Sequence, residues 1–167
     1  MSIPSVQKLL PGGHGAALGN VAAMLSVPVV RLDPDLPLPT YAHPGDAGID
    51  LRARNDGRIE AAGGRLVMPT GIAIAIPAQH AGFVLPRSGI ALSHGISVVN
   101  APGLIDCGYR GEIKVVLLNT DPVHAFDIHR GDRIAQLVVQ RVELVEWDVV
   151  DSLEGESRGG GFGHSGR

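Results

Sequence analysis

The sequence contains a single cysteine, few aromatic residues and no excess of basic charge. Cys107 has no partner within the 167 residues, so we expect a reducing compartment, the cytoplasm, and interpret Cys107 as a small apolar side chain in a turn rather than a nucleophile. Phe, Tyr and Trp together make up 4% of the chain. The formal net charge of −3 argues against a protein dedicated to nucleic acids or membrane surfaces, where a basic excess is expected.

The sequence also has no apolar run long enough to span a bilayer. The longest run, residues 21–30, is interrupted by Ser26 and Pro28. Residues 1–26 show no succession of charged region, apolar run and cleavage site, so a secretory signal is not predicted. This segment is rich in glycine and proline and has no carboxylate, and we interpret it as a flexible N-terminal extension, with Met24 as an alternative start.

Glycine and proline, by contrast, are abundant, with 23 and 12 residues. From Val27 onward, short apolar runs alternate with turn signals, and residues 71–76 alternate large and small side chains with the period of a strand. Residues 134–147 fit a helix or a strand, and their valines favour strands. The pattern predicts one all-β domain over residues 27–150, a sandwich or barrel, followed by a Gly-rich, polar arm over residues 151–167 that is mobile by itself.

Residues 101–112 form the most informative stretch. They place Asp106, Tyr109 and a basic side chain within five residues, among glycines that allow sharp turns. Apolar runs at residues 95–99 and 113–118 flank the stretch. This arrangement predicts a β-hairpin whose tip and shoulder carry polar chemistry.

A second polar segment follows the apolar residues 82–85. Pro86 has no N–H for a strand ladder, so we expect the strand to end there. Arg87, Ser88 and Gly89 then supply a guanidinium, a hydroxyl and an accessible N–H, which together suit a phosphate. An ordinary turn with a surface arginine explains the segment equally well.

Asp46 and Asp50 are four residues apart, so on a strand their carboxylates face the same side. Magnesium with retained water ligands suits such a pair. The alternative is one aspartate in a loop and one at a strand edge, and this segment alone favours that alternative.

The chain end, residues 161–166, matches the pattern G-x-G-x-x-G, but no strand–helix unit surrounds it, which excludes the dinucleotide interpretation. A Gly-rich flap is the better interpretation, in which Arg158 closes over phosphates and Phe162 over a base. A disordered tail is the open alternative. The seven histidines lack the spacing of a zinc site.

Taken together, these segments resemble the trimeric dUTPase family, the deoxyuridine triphosphate nucleotidohydrolases. The resemblance implies a jelly-roll-like β fold and a homotrimer with exchanged C-terminal arms, which share active sites between subunits. It also implies hydrolysis of dUTP to dUMP and diphosphate with Mg²⁺, which lowers dUTP, prevents uracil incorporation into DNA and supplies dUMP for thymidylate synthesis. The matching stretches occur in family order at residues 47–51, 86–91, 103–112, 131–137 and 158–166.

The resemblance also assigns roles around the predicted hairpin. Asp106 would be the general base that activates the attacking water, because a carboxylate is ionised at neutral pH. Tyr109 would stack under the deoxyribose and leave no room for a 2′-hydroxyl. Asn100 and the backbone of Leu104 and Ile105 would recognise the uracil edge.

The remaining roles concern the triphosphate and the metal. Asp50 would contact water molecules on a magnesium ion whose inner ligands come mostly from the triphosphate. Arg158 would approach the γ-phosphate and Phe162 would cover the uracil. The phosphate-binding residues implied by the resemblance are Arg87, Ser88, Gly89 and Gln136, with Lys114 as a further substrate contact.

Two features bear on alternatives. The family arm usually reads Arg-Gly-x-Gly-Gly-Phe-Gly, and this chain has one residue fewer between Arg158 and Phe162. A shorter arm could weaken turnover and spare binding, so a non-catalytic nucleotide-binding trimer is an open alternative. The second rival, dCTP deaminase, shares the fold but carries a Glu on the strand after the hairpin. Val116 occupies that position here, so deamination has no evident acid or base.

Overall fold

The structure is a computed structural model that describes residues 24–157. Within these residues the chain forms strands and one short helix, and no helix is long and apolar enough to cross a membrane. The elements, in chain order, are β1 (Val29–Arg31), β2 (Ile49–Arg52), β3 (Gly57–Ile59), β4 (Arg65–Ile74), β5 (His80–Leu85), α1 (Ser88–His94), β6 (Ile96–Val98), β7 (Gly103–Ile105), β8 (Glu112–Asn119), β9 (Phe126–Ile128) and β10 (Arg133–Arg141).

Two four-stranded antiparallel sheets share one hydrophobic core. The first has the order β1-β4-β8-β6, the second has the order β2-β10-β5-β7, and β3 pairs with β9 in a small third sheet. Both large sheets contribute to a single cluster of buried residues, for example Leu51 and Leu137 from the second sheet and Met68 and Val115 from the first. The predicted all-β class and jelly-roll-like sandwich are therefore confirmed.

The hairpin prediction is correct in its flanks and incomplete in its middle. β6 and β8 pair antiparallel, with Val98 opposite Leu117. Between them, however, β7 joins the other sheet and pairs with β5, where Leu104 lies opposite Phe83. The stretch thus crosses from one sheet to the other and back, because it must bury Ile105 in the shared core.

Other local predictions have mixed outcomes. β5 ends at Leu85, directly before Pro86, as expected from the missing N–H. The valine-rich stretch after residue 133 is a strand, but it ends at Arg141. In β4 the small Ala73 is as buried as the neighbouring isoleucines, because both faces of this part of the strand are covered.

The short helix α1 was not predicted. It has seven residues, and none of them is buried, so it carries no apolar periodicity that a sequence could reveal. Gly95 ends it with φ of 66°, and the Gly95 N–H donates to the carbonyl oxygens of Ile90 and Ala91. This left-handed C-terminal residue is a common helix stop, and glycine adopts it without steric cost.

An ion-pair network ties the segment after β1 to the two long strands of the first sheet. Arg130 donates to both carboxylate oxygens of Asp33, and the Arg54 Nε lies 3.5 Å from the same carboxylate. Arg54 also donates to Glu112 at 3.3 Å, and Glu112 accepts from the Gly71 N–H at 2.8 Å. The hydrogen bond from Arg130 is the largest cause that lowers the pKa of Asp33 from 3.8 to about 2.

This network predicts an acid-sensitive contribution to stability. Because the folded-state pKa of Asp33 is depressed, its ion pairs stabilise the fold above about pH 4 and are lost as the pH falls towards about 2. We expect Asp33→Asn to lower the free energy of unfolding at pH 7 and to flatten its fall between about pH 4 and pH 2. Urea unfolding midpoints across this pH range, at constant protein concentration, measure both effects.

The matched control is Asp127→Asn. Asp127 also accepts two hydrogen bonds from one arginine, Arg58, but its side chain is 58% exposed. An exposed pair of this kind contributes little, so the control should unfold like the wild type. If the unfolding midpoint of Asp33→Asn falls with pH as steeply as that of the wild type, the network is not the cause of the acid sensitivity.

Candidate active site

The hairpin stretch and the start of β8 enclose a cleft of about 180 Å³. Along β7 the side chains alternate, so Ile105 is buried in the core and Leu104 is exposed at the cleft. Four of the predicted substrate residues, Leu104, Ile105, Tyr109 and Lys114, line this cleft together with Ile113.

Asp106 directly follows β7 and is exposed. Its backbone carbonyl accepts from the Tyr109 N–H at 3.0 Å, which closes a turn over the two residues between Asp106 and Tyr109. Arg110 donates to the carbonyl oxygens of Cys107 and Tyr109 at 2.6 and 2.8 Å. These backbone contacts hold the turn, so the Asp106 carboxylate projects from a structured element and not from a loose loop.

Asn100 lies at the start of this stretch, just before β7. Its side-chain nitrogen is 3.2 Å from the position that a Cβ atom on Gly103 would occupy. The amide group therefore packs against the first residue of β7 and next to the backbone of Leu104, where the resemblance places uracil recognition.

A second cluster forms where β2, β10 and the start of α1 meet. The Asp50 carboxylate is 7% exposed, and it accepts from the Arg87 Nε at 2.9 Å and from an Arg133 Nη at 3.2 Å. Gln136 lies opposite Asp50 across the β2–β10 pair and opposite Leu85 across the β10–β5 pair. The predicted phosphate residues Arg87 and Gln136 thus come together around Asp50.

Two positive guanidinium groups share one carboxylate in this cluster, so its net charge is positive. Ser88 and Gly89 are exposed at the start of α1, and no atom lies within 4 Å of a Cβ position on Gly89. An anion can therefore approach this backbone closely while the arginines neutralise its charge. The adjoining cleft of about 290 Å³ is lined by Arg87, Ile90, His94, Phe126, Asp132, Arg133 and Ile134.

Arg133 lies in the stretch 131–137 that resembles the family, but no role is predicted for it from the sequence. The contact between Arg133 and Asp50 joins residues 83 positions apart, so no local pattern announces it. The sequence feature that could have indicated Arg133 is its position three residues before Gln136 in a predicted strand. Only the register of β10 against β2 shows that it lies near Asp50.

The metal prediction depends on the carboxylates. Asp46 lies in a turn before β2, where its carboxylate accepts from the His43 N–H at 2.8 Å, so the two aspartates do not form a pair on one strand. The favoured alternative, a loop aspartate and a strand aspartate, is correct. Within residues 24–157 no group of three His, Cys, Asp or Glu side chains could hold a metal ion. A metal ion at Asp50 would therefore take most of its ligands from other oxygens, such as phosphates and water, which is a ligand set that magnesium accepts.

The segment after β10 exposes apolar surface. Residues 142–157 form no strand or helix, and six large apolar side chains in this segment are 55–93% exposed. Large apolar side chains exposed in this number along one segment normally mark an interface with another protein chain. The exposed residues are Leu144, Val145, Trp147, Val149, Val150 and Leu153. The sites predicted at Arg158 and Phe162, and residues 1–23 of the N-terminal extension, lie outside the described residues.

The structure is thus a jelly-roll sandwich that carries one carboxylate on an ordered turn and two arginines paired with one buried aspartate. A family model described as dUTPase matches residues 35–166. A deoxyuridine 5′-triphosphate nucleotidohydrolase of Rhodococcus erythropolis is 59% identical over 143 residues, which are 85% of this chain and 87% of the relative. The enzyme of the same name from Thermobifida fusca is 57% identical over 161 residues, or 93% of this chain and 89% of the relative. The chain therefore belongs to the dUTPase family.

Solved structures agree with this assignment at the level of the fold. A mutant dUTPase of Staphylococcus bacteriophage 80alpha with dUpNHpp has a TM-score of 0.78 at 24% identity, and the match covers 86% of this chain and 99% of the phage protein. A mutant dUTPase of phage phi11 of S. aureus, whose structure describes a structural Mg(II) ion, has a TM-score of 0.71 at 22% identity and covers 78% of this chain and 100% of that protein.

Proposed function

We propose that this chain hydrolyses dUTP to dUMP and diphosphate through attack of water at the α-phosphate. The observation that carries the proposal is the ordered turn that joins Asp106 to Tyr109, which lines the hairpin cleft together with Lys114. The relatives named dUTP nucleotidohydrolases support the same reaction, since they match most of this chain.

The hairpin cleft would select the nucleoside. Backbone groups of Leu104 and Ile105 and the side chain of Asn100 would offer hydrogen bonds to a uracil edge. The pairing of β7 with β5 holds the backbone of Leu104 and Ile105 within the second sheet. The Tyr109 ring would pack against the deoxyribose. A rigid backbone discriminates by direct clash, which exceeds the roughly 1–3 kcal/mol that a methyl group is worth in an apolar pocket.

Asp106 would act as the general base. Its carboxylate makes no hydrogen bond or ion pair to another residue within the described part of the chain, so both oxygens are available to orient a water molecule. Removal of a proton from that water raises its nucleophilicity as it attacks phosphorus, and the leaving diphosphate departs on the opposite side.

The triphosphate would lie against the cluster around Asp50. Arg87, Ser88, Gly89 and Gln136 would donate hydrogen bonds to phosphate oxygens, and Lys114 would make a further substrate contact. Magnesium supplies charge neutralisation on the triphosphate when it is bound. Asp50 would contact its water ligands, which is compatible with a carboxylate that already accepts one hydrogen bond at each oxygen.

The assembly would be a homotrimer with exchanged C-terminal arms. The hairpin cleft and the arginine-lined cleft have no lining residue in common, which fits active sites built from more than one subunit. The exposed apolar segment after β10 would be covered by a neighbouring subunit. We further propose the boundaries 1–26, 27–150 and 151–167 for extension, domain and arm, with Arg158 and Phe162 closing the site, and a cytoplasmic role in removing dUTP.

The test is diphosphate release from dUTP, dCTP, dTTP and UTP in parallel, with magnesium and with ammonia monitored in the dCTP reaction. Rapid release from dUTP alone supports the proposal. Ammonia from dCTP would assign the chain to the deaminases. We do not expect ammonia, because Val116 in β8 stands where the deaminases carry their catalytic Glu. Tight dUTP binding without turnover would contradict the enzymatic proposal and favour a nucleotide-binding trimer.

A further inference from the structure

The Tyr109 side chain folds back over its own turn. Its hydroxyl donates to the Glu112 carbonyl oxygen at 2.9 Å, and the residue as a whole is 45% exposed. The acceptor is firmly placed, because Glu112 begins β8 and its side chain accepts from the Gly71 N–H and from Arg54. The ring position is therefore defined by a hydrogen bond to a fixed part of the first sheet.

Gly111 makes this ring position sterically available. A Cβ atom on Gly111 would lie 2.5 Å from the Tyr109 hydroxyl oxygen, 2.8 Å from Cζ and 3.2 Å from Cε2. Separations below 3.0 Å do not occur for real Cβ contacts, so any side chain at this position must displace the ring.

Backbone conformation does not explain this glycine. Gly111 does not have a positive φ, in contrast to Gly71 and Gly95, so a left-handed backbone is not what requires glycine here. The space occupied by the Tyr109 ring is what excludes a side chain.

We propose that Gly111 determines sugar specificity, because it allows Tyr109 to lie against the hairpin in the one position that leaves no room for a 2′-hydroxyl. The inference rests on the proposed function, in which the Tyr109 ring contacts the deoxyribose. Gly111 itself is a positioning residue that acts through Tyr109. The Glu112 carbonyl oxygen, which accepts the hydrogen bond from the Tyr109 hydroxyl, fixes the ring from its other end.

The test is the ratio of kcat/KM for dUTP to kcat/KM for UTP in Gly111→Ala. We expect this ratio to fall by about 10- to 100-fold, because a ring displaced by about 1 Å no longer matches deoxyribose and opens space for ribose. A general loss of structure would lower both kcat/KM values together and leave the ratio unchanged. An unchanged ratio in folded Gly111→Ala overturns the inference.

Gly108→Ala is the matched control in the same turn. Gly108 also lacks a positive φ, but no atom lies within 4 Å of its Cβ position, so its substitution should preserve the wild-type ratio. If Gly111→Ala is not recovered folded, Tyr109→Phe carries the test, since it keeps the ring and removes the donor to Glu112. We expect the ratio of kcat/KM for dUTP to that for UTP to fall severalfold in Tyr109→Phe. A wild-type ratio would show that the hydrogen bond to Glu112 does not position the ring.

The wild-type assay separates this inference from the proposed function. A wild-type protein that does not hydrolyse dUTP would refute the proposed function itself. A wild-type protein that hydrolyses dUTP and UTP equally well would refute the sugar discrimination on which Gly111 is proposed to act. Selective wild-type hydrolysis with an unaltered ratio in Gly111→Ala would refute the role of Gly111 alone.

Discussion

Asp106→Asn is expected to bind dUTP with near wild-type affinity and to turn it over about 10²–10⁴-fold more slowly, the usual contribution of a general base. The substitution keeps the size of the side chain but removes its ability to accept the proton of the attacking water. The turn itself should persist, because it is held by the backbone contact between Asp106 and Tyr109 and by Arg110. Single-turnover rates measured beside equilibrium binding of the nonhydrolysable analogue dUpNHpp separate the chemical step from affinity.

Cys107→Ser provides the control at the adjacent position. Cys107 is an exposed free thiol next to the proposed base, and a thiol nucleophile was the alternative to an inert residue in a turn. Wild-type turnover in Cys107→Ser together with a large loss in Asp106→Asn supports the assignment to the carboxylate. The reverse result would transfer the catalytic role to the thiol, and wild-type turnover in Asp106→Asn would remove Asp106 from the mechanism.

Two truncations should separate assembly from closure of the active site. A chain that ends at Leu153 keeps the exposed apolar segment after β10, and we expect a folded trimer whose kcat/KM for dUTP is reduced about 10²-fold by loss of the arm residues. A chain that ends at Arg141 keeps every strand of both sheets but lacks the apolar segment. We expect it to lose the trimer as well as the activity.

Light scattering measures this difference for both truncated chains. Tryptophan fluorescence reports assembly in the full chain and in the chain that ends at Leu153, because the chain that ends at Arg141 lacks Trp147. Trp147 is the only tryptophan in the sequence and is 87% exposed on the isolated chain, so its emission should be blue-shifted in a trimer that covers it and red-shifted on dilution into monomers. An unchanged kcat/KM for dUTP in the chain that ends at Leu153 would show that residues 154–167 do not close the active site. A trimeric chain ending at Arg141 would show that the apolar segment does not hold the subunits together.

Local chemistry in the sequence determined which parts of the site could be foreseen. Leu104, Tyr109 and Lys114 share a cleft because they lie within a single short stretch, where turn residues and apolar flanks constrain the chain. The end of β5 followed from Pro86 for a similar reason, since the absence of an N–H is a property of one residue.

Contacts that depend on register or on a rotamer could not be foreseen in this way. The ion pair between Arg133 and Asp50 requires the pairing of β10 with β2, and the crossing of β7 to the second sheet requires the complete core. The short helix α1 buries none of its residues, so no periodicity marked it. The contact between Gly111 and the Tyr109 ring depends on a single side-chain orientation.

The crossing of β7 between the sheets has a consequence for substrate selection. Ordinary surface hairpins open by local fluctuation, at a free-energy cost well below that of global unfolding. The strand that carries Leu104 is instead paired to β5 on one side, while the neighbouring β6 and β8 belong to the other sheet. Separating from β5 the backbone that we propose to recognise uracil therefore also exposes Ile105, which is buried in the core. The β7 amide protons that donate to β5 should exchange with solvent more slowly than those of an ordinary surface hairpin. In the proposed function, fidelity for the base therefore depends on the core beneath β7, and we expect a core substitution distant from the cleft to reduce it.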